Sequence, residues 1–400
     1  MTTDSHPVYW LAILPWLHLS SEVRLGGVRF VSVDTAHPGQ AIAELESISK
    51  DCAQVLRSWR LSHQCGINRC TLLIPNDWNP CVPPDNAAQA ELGRMTNLLM
   101  LCAFAANRYG YHNSWNANAS MFQLYTATFT SPPGYVGLTT RLRDGTSSTA
   151  GVRYGDPLFY VPAECNPPQP MSVDKRLAES IGSLEDSVPL AERLRFALPF
   201  FGWANTLAAT SSWEMEIIAL VAAFEKLLHQ GSDSGVVNEI DRLLQGYETV
   251  PLRNARGTRP SITVKPAAQN DPVHKSWVRD LYRARHRSAH PRPNERPEWE
   301  PYEHLAMGAF LFPLLVKLLL AQDDLYGLTW PDKAACDAVN MLLAKTDWFV
   351  WGEVEDSAYS FDAPTVWAAT LKEANCVRST KEAEEISGRI DLSKGEATPE

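Results

Sequence analysis

The residues best equipped for chemistry lie in one run, Leu281-Tyr282-Arg283-Ala284-Arg285-His286-Arg287-Ser288-Ala289-His290, followed by Pro291. Histidine titrates near pH 6.5, so it can take or give a proton near neutrality. Arginine offers a planar fork of N–H donors that matches phosphate oxygens. The two types together suit work at a phosphodiester. Their setting points the same way. Between Pro251 and Glu300 there are 11 Lys or Arg against five acids, an excess of +6 on a chain whose net charge is −10. The remaining 350 residues therefore carry −16. A basic segment on an acidic protein marks a local polyanion site, or a solvated helix face.

The elements that position this run are helical. Val273, Trp277, Leu281 and Arg285 are spaced four apart, which puts them on one stripe of a helix over 272–290. Pro291 disfavours helical backbone at His290 and ends the helix there. Arg283, His286 and His290 fall within about 60° of each other on a second face, at an end whose free carbonyls favour cations. A guanidinium in line with Trp277 and Leu281 needs a carboxylate. Glu225, among Val221, Ala222, Phe224 and Leu228 in an apolar helix over 213–230, is the expected partner. Breaking that pair would cost about 3–5 kcal/mol if it were fully buried.

Arg, four residues, then His is a weak pattern alone. With 25 arginines and 10 histidines, about 0.6 matches arise by chance. The wider run, Leu-Tyr-x-x-Arg with a polar residue next and His at the helix end, resembles the signature of the HEPN superfamily. The stretch Glu216 to His229 is similar to an early helix of Apea-like HEPN domains, and a long helix over 301–321 follows in the expected order. The resemblance covers about 213–325. His290 is followed by Pro-Arg rather than a small residue, and no Tyr stands two positions after it.

The resemblance implies a metal-independent endoribonuclease, in antiviral or abortive-infection defence or as a toxin. It implies catalytic roles for Arg285, His290, His286 and Glu225, and RNA contacts from Arg283, Arg287 and Tyr282. Whether Arg283 or Arg285 is the essential arginine stays open. It implies a homodimer that brings two motifs together, with no metal or other cofactor. The alternative is a catalytically silent HEPN-like module that binds RNA, nucleotide or a protein partner.

The rest of the chain bounds these expectations. A length of 400 residues is too long for one typical core and suits two domains. Apolar content of 45% and charged content of 20% are those of a globular protein. Eight cysteines at irregular spacings suggest reduced thiols and a cytoplasmic location. No basic leader precedes the apolar run Val8 to Leu19, so no signal peptide is expected. The run Leu305 to Ala321 carries Lys317 and Pro313 and is expected to be a core helix rather than a membrane span. His63, Cys65, Cys70 and Cys81 could hold zinc or be buried thiols, and their spacing favours the latter. Trp10, Trp16, Trp59, Trp78 and Trp115 could line a ligand pocket, although core positions are the commoner fate.

The expected fold is multi-domain α+β: an N-terminal mixed α+β domain followed by an all-α helical bundle of HEPN type. Strands are expected over 8–14, 23–33 with a bend at Gly26-Gly27, 121–130, 135–143 and 152–161, with a turn at Asp144-Gly145. Helices are expected over 41–60 and 86–107, the second capped by Asn86. This domain, 1–162, is expected to sense a phage-derived or cellular trigger. A Pro-rich linker is expected over 163–190, a helical domain over 191–345 (helices 176–198, 213–230, 236–247, 272–290 and 301–321), and a partly disordered extension over 346–400. A short strand is expected over 261–264.

Overall fold

The computed structural model describes residues 8–34, 56, 59–60, 67–79, 81–106, 110–111, 114–115, 118–130, 135–141, 147–153, 159–160, 170–185, 187–206, 212–289, 296–348 and 365–394. The chain divides into two compact units, Met1–Ala223 and Phe224–Glu400. An α+β region is followed by helices, as the hydrophobic periodicity predicts.

The N-terminal unit is built on a seven-stranded sheet. Its strands are β1 (Val8–Leu14), β2 (Val23–Leu25), β3 (Val28–Asp34), β4 (Arg69–Pro75), β5 (Tyr125–Thr130), β6 (Tyr135–Arg141) and β7 (Ser147–Arg153). The spatial order is β7-β6-β5-β1-β4-β3-β2, and every neighbouring pair is antiparallel. In β1, Trp10 through Leu14 are all buried, the pattern of a central strand covered on both faces. Leu25 pairs with Val28 across Gly26-Gly27, and Gly26 takes φ +52° to close that two-residue hairpin. Helix α1 (Asn86–Ala106) buries Leu98 through Ala105 without a break. Its cap is Asp85, whose carboxylate accepts the Ala88 N–H at 2.8 Å, so the helix begins one residue earlier than an Asn86 cap would place it.

Several expectations change in this unit. Residues 41–55 lie outside the described residues, but Trp59–Arg60 is extended and pairs in parallel with Phe159–Tyr160, so the expected helix does not reach 60. The linker expected over 163–190 is structured from 170 onward. Met171 exchanges backbone hydrogen bonds with His18 and Ser20, and Asp174 N–H donates to the Cys102 carbonyl. Helix α2 (Lys175–Gly182) buries Leu177, Ala178 and Ile181, and Gly182 lies so close to the β2–β3 hairpin that a Cβ there would sit 2.9 Å from the Gly26 nitrogen. Helix α3 (Pro189–Ala204) also belongs to this unit. The prolines that suggest a linker lie before 171, whereas an apolar stripe at 177, 178 and 181 holds the next segment down.

Helix α4 (Trp213–Leu228) contains the division between the units. The C-terminal unit continues with α5 (Asp233–Leu243), α6 (Leu252–Thr258), α7 (Val273–Ala289), α8 (Pro301–Gln322), α9 (Trp330–Leu343) and α10 (Val366–Lys394). Its centre is α8, buried continuously from Ala306 to Leu320. This helix is long and apolar enough to cross a membrane, yet 89% of its most apolar window is buried inside the protein, as a core helix would be. It starts with Pro301 at N1 and a reciprocal Glu300–Glu303 capping box. The described part of the tail expected to be disordered is helix α10. Trp367, Leu371 and Ala374 form an i, i+4, i+7 stripe that is buried within a sequence otherwise rich in Lys, Glu and Ser. Residues 261–264 form no strand; Ile262 is buried and Ser261 Oγ donates to the Glu298 carbonyl at 2.8 Å.

Candidate active site

Helix α7 forms where the sequence places it, and its inner stripe is Val273, Trp277, Leu281 and Ala284, all buried. Trp277 meets Phe224 of α4 edge to face at 6.2 Å between ring centroids. That contact joins the Phe224 end of α4 to α7. Glu225, the next residue on α4, then faces the C-terminal half of α7. Its Oε1 accepts from Arg285 Nη1 at 2.9 Å and from the Tyr282 hydroxyl at 3.1 Å. The expected Glu225–Arg285 pair is therefore present.

Its setting differs from the expected one. The Arg285 side chain is 42% exposed and that of Glu225 20%. An ion pair this open to water stabilises by about 0–1 kcal/mol, well below the 3–5 kcal/mol of a buried pair. The other N–H groups of Arg285 make no hydrogen bond among the described residues. Burial pushes the Tyr282 phenol well above its ordinary value, and the Glu225 carboxylate adds to the shift. Tyr282 thus stays a proton donor to Glu225. His286 is exposed on the next face. His290 lies outside the described residues.

Arg283 and Arg287 turn elsewhere. Arg283 is 43% exposed, with Nη2 at 3.1 Å from Glu298 Oε1 and Nε at 3.4 Å from Asp280 Oδ1. Arg287 is 17% exposed and brings Nη2 to 3.8 Å from the same Asp280 oxygen. Asp280 is buried; its Oδ2 accepts the Glu298 and Trp299 N–H groups at 3.1 and 3.0 Å and lies 3.3 Å from His304 Nε2. Burial alone would raise the Asp280 pKa. The His304 ring, the Trp299 amide and the Arg283 charge outweigh it and hold the carboxyl below its ordinary value. Nearby, Arg259 makes a two-pronged pair with Glu303, donates to the Lys345 carbonyl, and lies over the Trp299 and Trp348 rings at 5.4 and 5.6 Å.

Sequence reading missed Asp280, Glu298, His304 and the Arg259–Glu303 pair. A signal for the first existed: Ser276, Asp280, Arg283 and Arg287 recur at helical spacing as a polar stripe beside the apolar one. Their partners could not be read, because Glu298 and His304 follow on a different element.

The other sequence candidates fare as follows. Cys70 is buried, Cys81 is exposed, and His63 and Cys65 lie outside the described residues. Among the described residues no three His, Cys, Asp or Glu side chains are grouped to hold a metal ion. Trp10, Trp16 and Trp59 are core residues, and Trp10 meets Trp78 edge to face at 6.4 Å.

The site at the end of α7 can present a half-exposed arginine, held from behind by Glu225, beside an exposed histidine. Compared with known protein families, characterised proteins and solved structures, the chain matches none.

Proposed function

We propose that this chain is a metal-independent endoribonuclease of the HEPN type, cytoplasmic and homodimeric, acting in antiviral or abortive-infection defence or as a toxin. One observation carries the reading. Glu225 takes both Tyr282 and Arg285, so the guanidinium is oriented from one side while its remaining donors are open to a ligand.

In the proposed reaction the RNA 2′-hydroxyl gives its proton to a histidine and attacks the adjacent phosphorus. The phosphorus–5′-oxygen bond breaks, and the leaving oxygen receives a proton from a second acid. The products are a 2′,3′-cyclic phosphate and a free 5′-hydroxyl. Arg285 stabilises the charge that grows on the non-bridging oxygens. His290 serves as general acid/base, and His286, exposed on α7, is the second candidate for that role. A dimer would supply two histidines and two arginines, enough for both proton transfers. The N-terminal unit is the proposed sensor of the trigger.

Labelled single-stranded RNA incubated with the purified protein tests the reading. Cleavage should persist in EDTA, leave cyclic phosphate ends, spare DNA and fall about 10²–10⁴-fold in His290→Ala. Loss of cleavage in EDTA, or equal cutting of DNA, contradicts it. Binding of RNA without cleavage would support the non-cutting module instead.

A further inference from the structure

The +6 charge of residues 251–300 divides unevenly once partners are assigned. Arg259, Lys275, Arg279, Arg283, Arg285 and Arg287 each reach a carboxylate within 4 Å. Most of the cations on α7 are thus offset. Among the described residues, Arg253, Arg256, Lys265 and Arg296 have no ion-pair partner. The first three stand in residues 249–270, a stretch with no Asp or Glu at all.

Local structure makes these three cations one surface. Leu252 and Ala255 are buried and fix the inner face of α6, and Arg259 anchors its end through Glu303. Arg253 and Arg256, three residues apart, are exposed on the outer face and are neighbours there. The Arg253 N–H donates to the Gln269 carbonyl at 3.0 Å, and Leu252 N–H to Asp271 at 3.0 Å. These bonds hold the first turn of α6 against the end of the 3-10 turn Pro266–Ala268, which begins at Lys265. Lys265 is exposed, about 8 Å along that turn from Gln269. Exposed amides of Asn254 and Gln269 lie in the same segment.

We infer that the outer face of α6, with Arg253 and Arg256, together with the adjoining Lys265, is a docking surface for the phosphate backbone of single-stranded RNA, separate from the Arg285 site. RNA as the occupant rests on the proposed function; a polyanion of some kind rests on the charge alone. Exposed cations without ion-pair partners bind phosphate without reading bases, and the adjoining acid, Asp271, is turned to Arg279 at 3.5 Å. The start of α7 bridges to the residue before α6, through Pro272 and Pro251. Arg285 is about 18 Å further along α7 by helix rise. A strand that touched both would run several nucleotides, so the surface matters for long substrates and not for a dinucleotide.

The test uses the full chain and a triple variant, Arg253→Gln, Arg256→Gln and Lys265→Gln, at exposed positions outside the proposed catalytic residues. Binding of a long oligouridylate is measured against salt, and cleavage of that RNA and of a dinucleotide is followed. The triple variant should bind the long RNA at least tenfold more weakly. Its slope of log Kd against log salt should flatten by about 2, from about 0.7 per lost phosphate contact. The KM for long RNA should rise with kcat unchanged, and dinucleotide cleavage should not alter. Unchanged affinity and slope overturn the inference while leaving the nuclease reading intact. RNA binding that depends on the three cations, in a wild type that cuts nothing, sustains the inference and overturns that reading. A wild type that ignores RNA but captures an acidic protein through these residues overturns the RNA assignment.

Discussion

The C-terminal unit holds two arginine–glutamate pairs of opposite character. Arg259 and Glu303 are sealed, with side chains 3% and 4% exposed, and every face of the guanidinium is used by a carboxylate, backbone carbonyls or an indole ring. Arg285 and Glu225 are half open, and one oxygen of Glu225 holds both Arg285 and Tyr282. The first pair has nothing left to offer a ligand and much to lose if broken. The second adds little stability and keeps donors in reserve. Asp280 lies with the closed class: its charge is surrounded by backbone amides, His304 and two arginines. Two arginines two residues apart on one helix, 283 and 285, thus enter different environments because the stripe carrying Asp280 and the stripe carrying Leu281 lie on different sides.

The largest expected effect is on the sealed pair. Arg259→Ala leaves Glu303 buried without its cation and should lower unfolding free energy by about 3–5 kcal/mol in denaturant titration. A loss below 1 kcal/mol would mean that the pair is no more closed than Arg285–Glu225. Next is Glu225→Ala. Its stability change should stay within about 1 kcal/mol, while RNA turnover should fall about 10²-fold as Arg285 loses its orientation. Equal losses in stability and turnover would erase the distinction between the pairs.

The smallest effect concerns a third polar contact of α7. His274 is buried, with Nδ1 at 2.9 Å from Asn340 Oδ1 and Nε2 at 3.2 Å from Asp241 Oδ1. Burial lowers its pKa in the folded protein against the opposing pull of Asn340 and Asp241. The folded state then prefers the neutral ring, so its contribution is complete above the unfolded value of about 6.5 and fades as pH falls through that value. Wild type should lose stability between about pH 7 and 5 relative to His274→Gln. A gain on acidification would show that the ring is charged in the fold.

Much of this was legible in the residues. Val273, Trp277 and Leu281 declare α7 by spacing, and the same stripe points Arg285 at Glu225. How open the pair is could not be read, because exposure depends on what α4 and α7 leave uncovered. The partners of Asp280 and Arg259 come from beyond the Pro-rich sequence 291–297 and from α8, and one helix's periodicity carries no information about them. Ser261-Ile262-Thr263-Val264 has strand composition, but among the described residues no strand pairs with it, and Ile262 serves as a loop anchor. In α10 the composition outweighed the pattern: Trp367, Leu371 and Ala374 form a core stripe hidden among charges.

On the proposed function, the open pair exists for chemistry. Turnover of single-stranded RNA by Arg285→Ala, measured with its unfolding free energy, tests it most directly. A loss of about 10²–10³-fold in kcat is expected, with stability within about 1 kcal/mol of wild type. Wild-type turnover in that variant would contradict it.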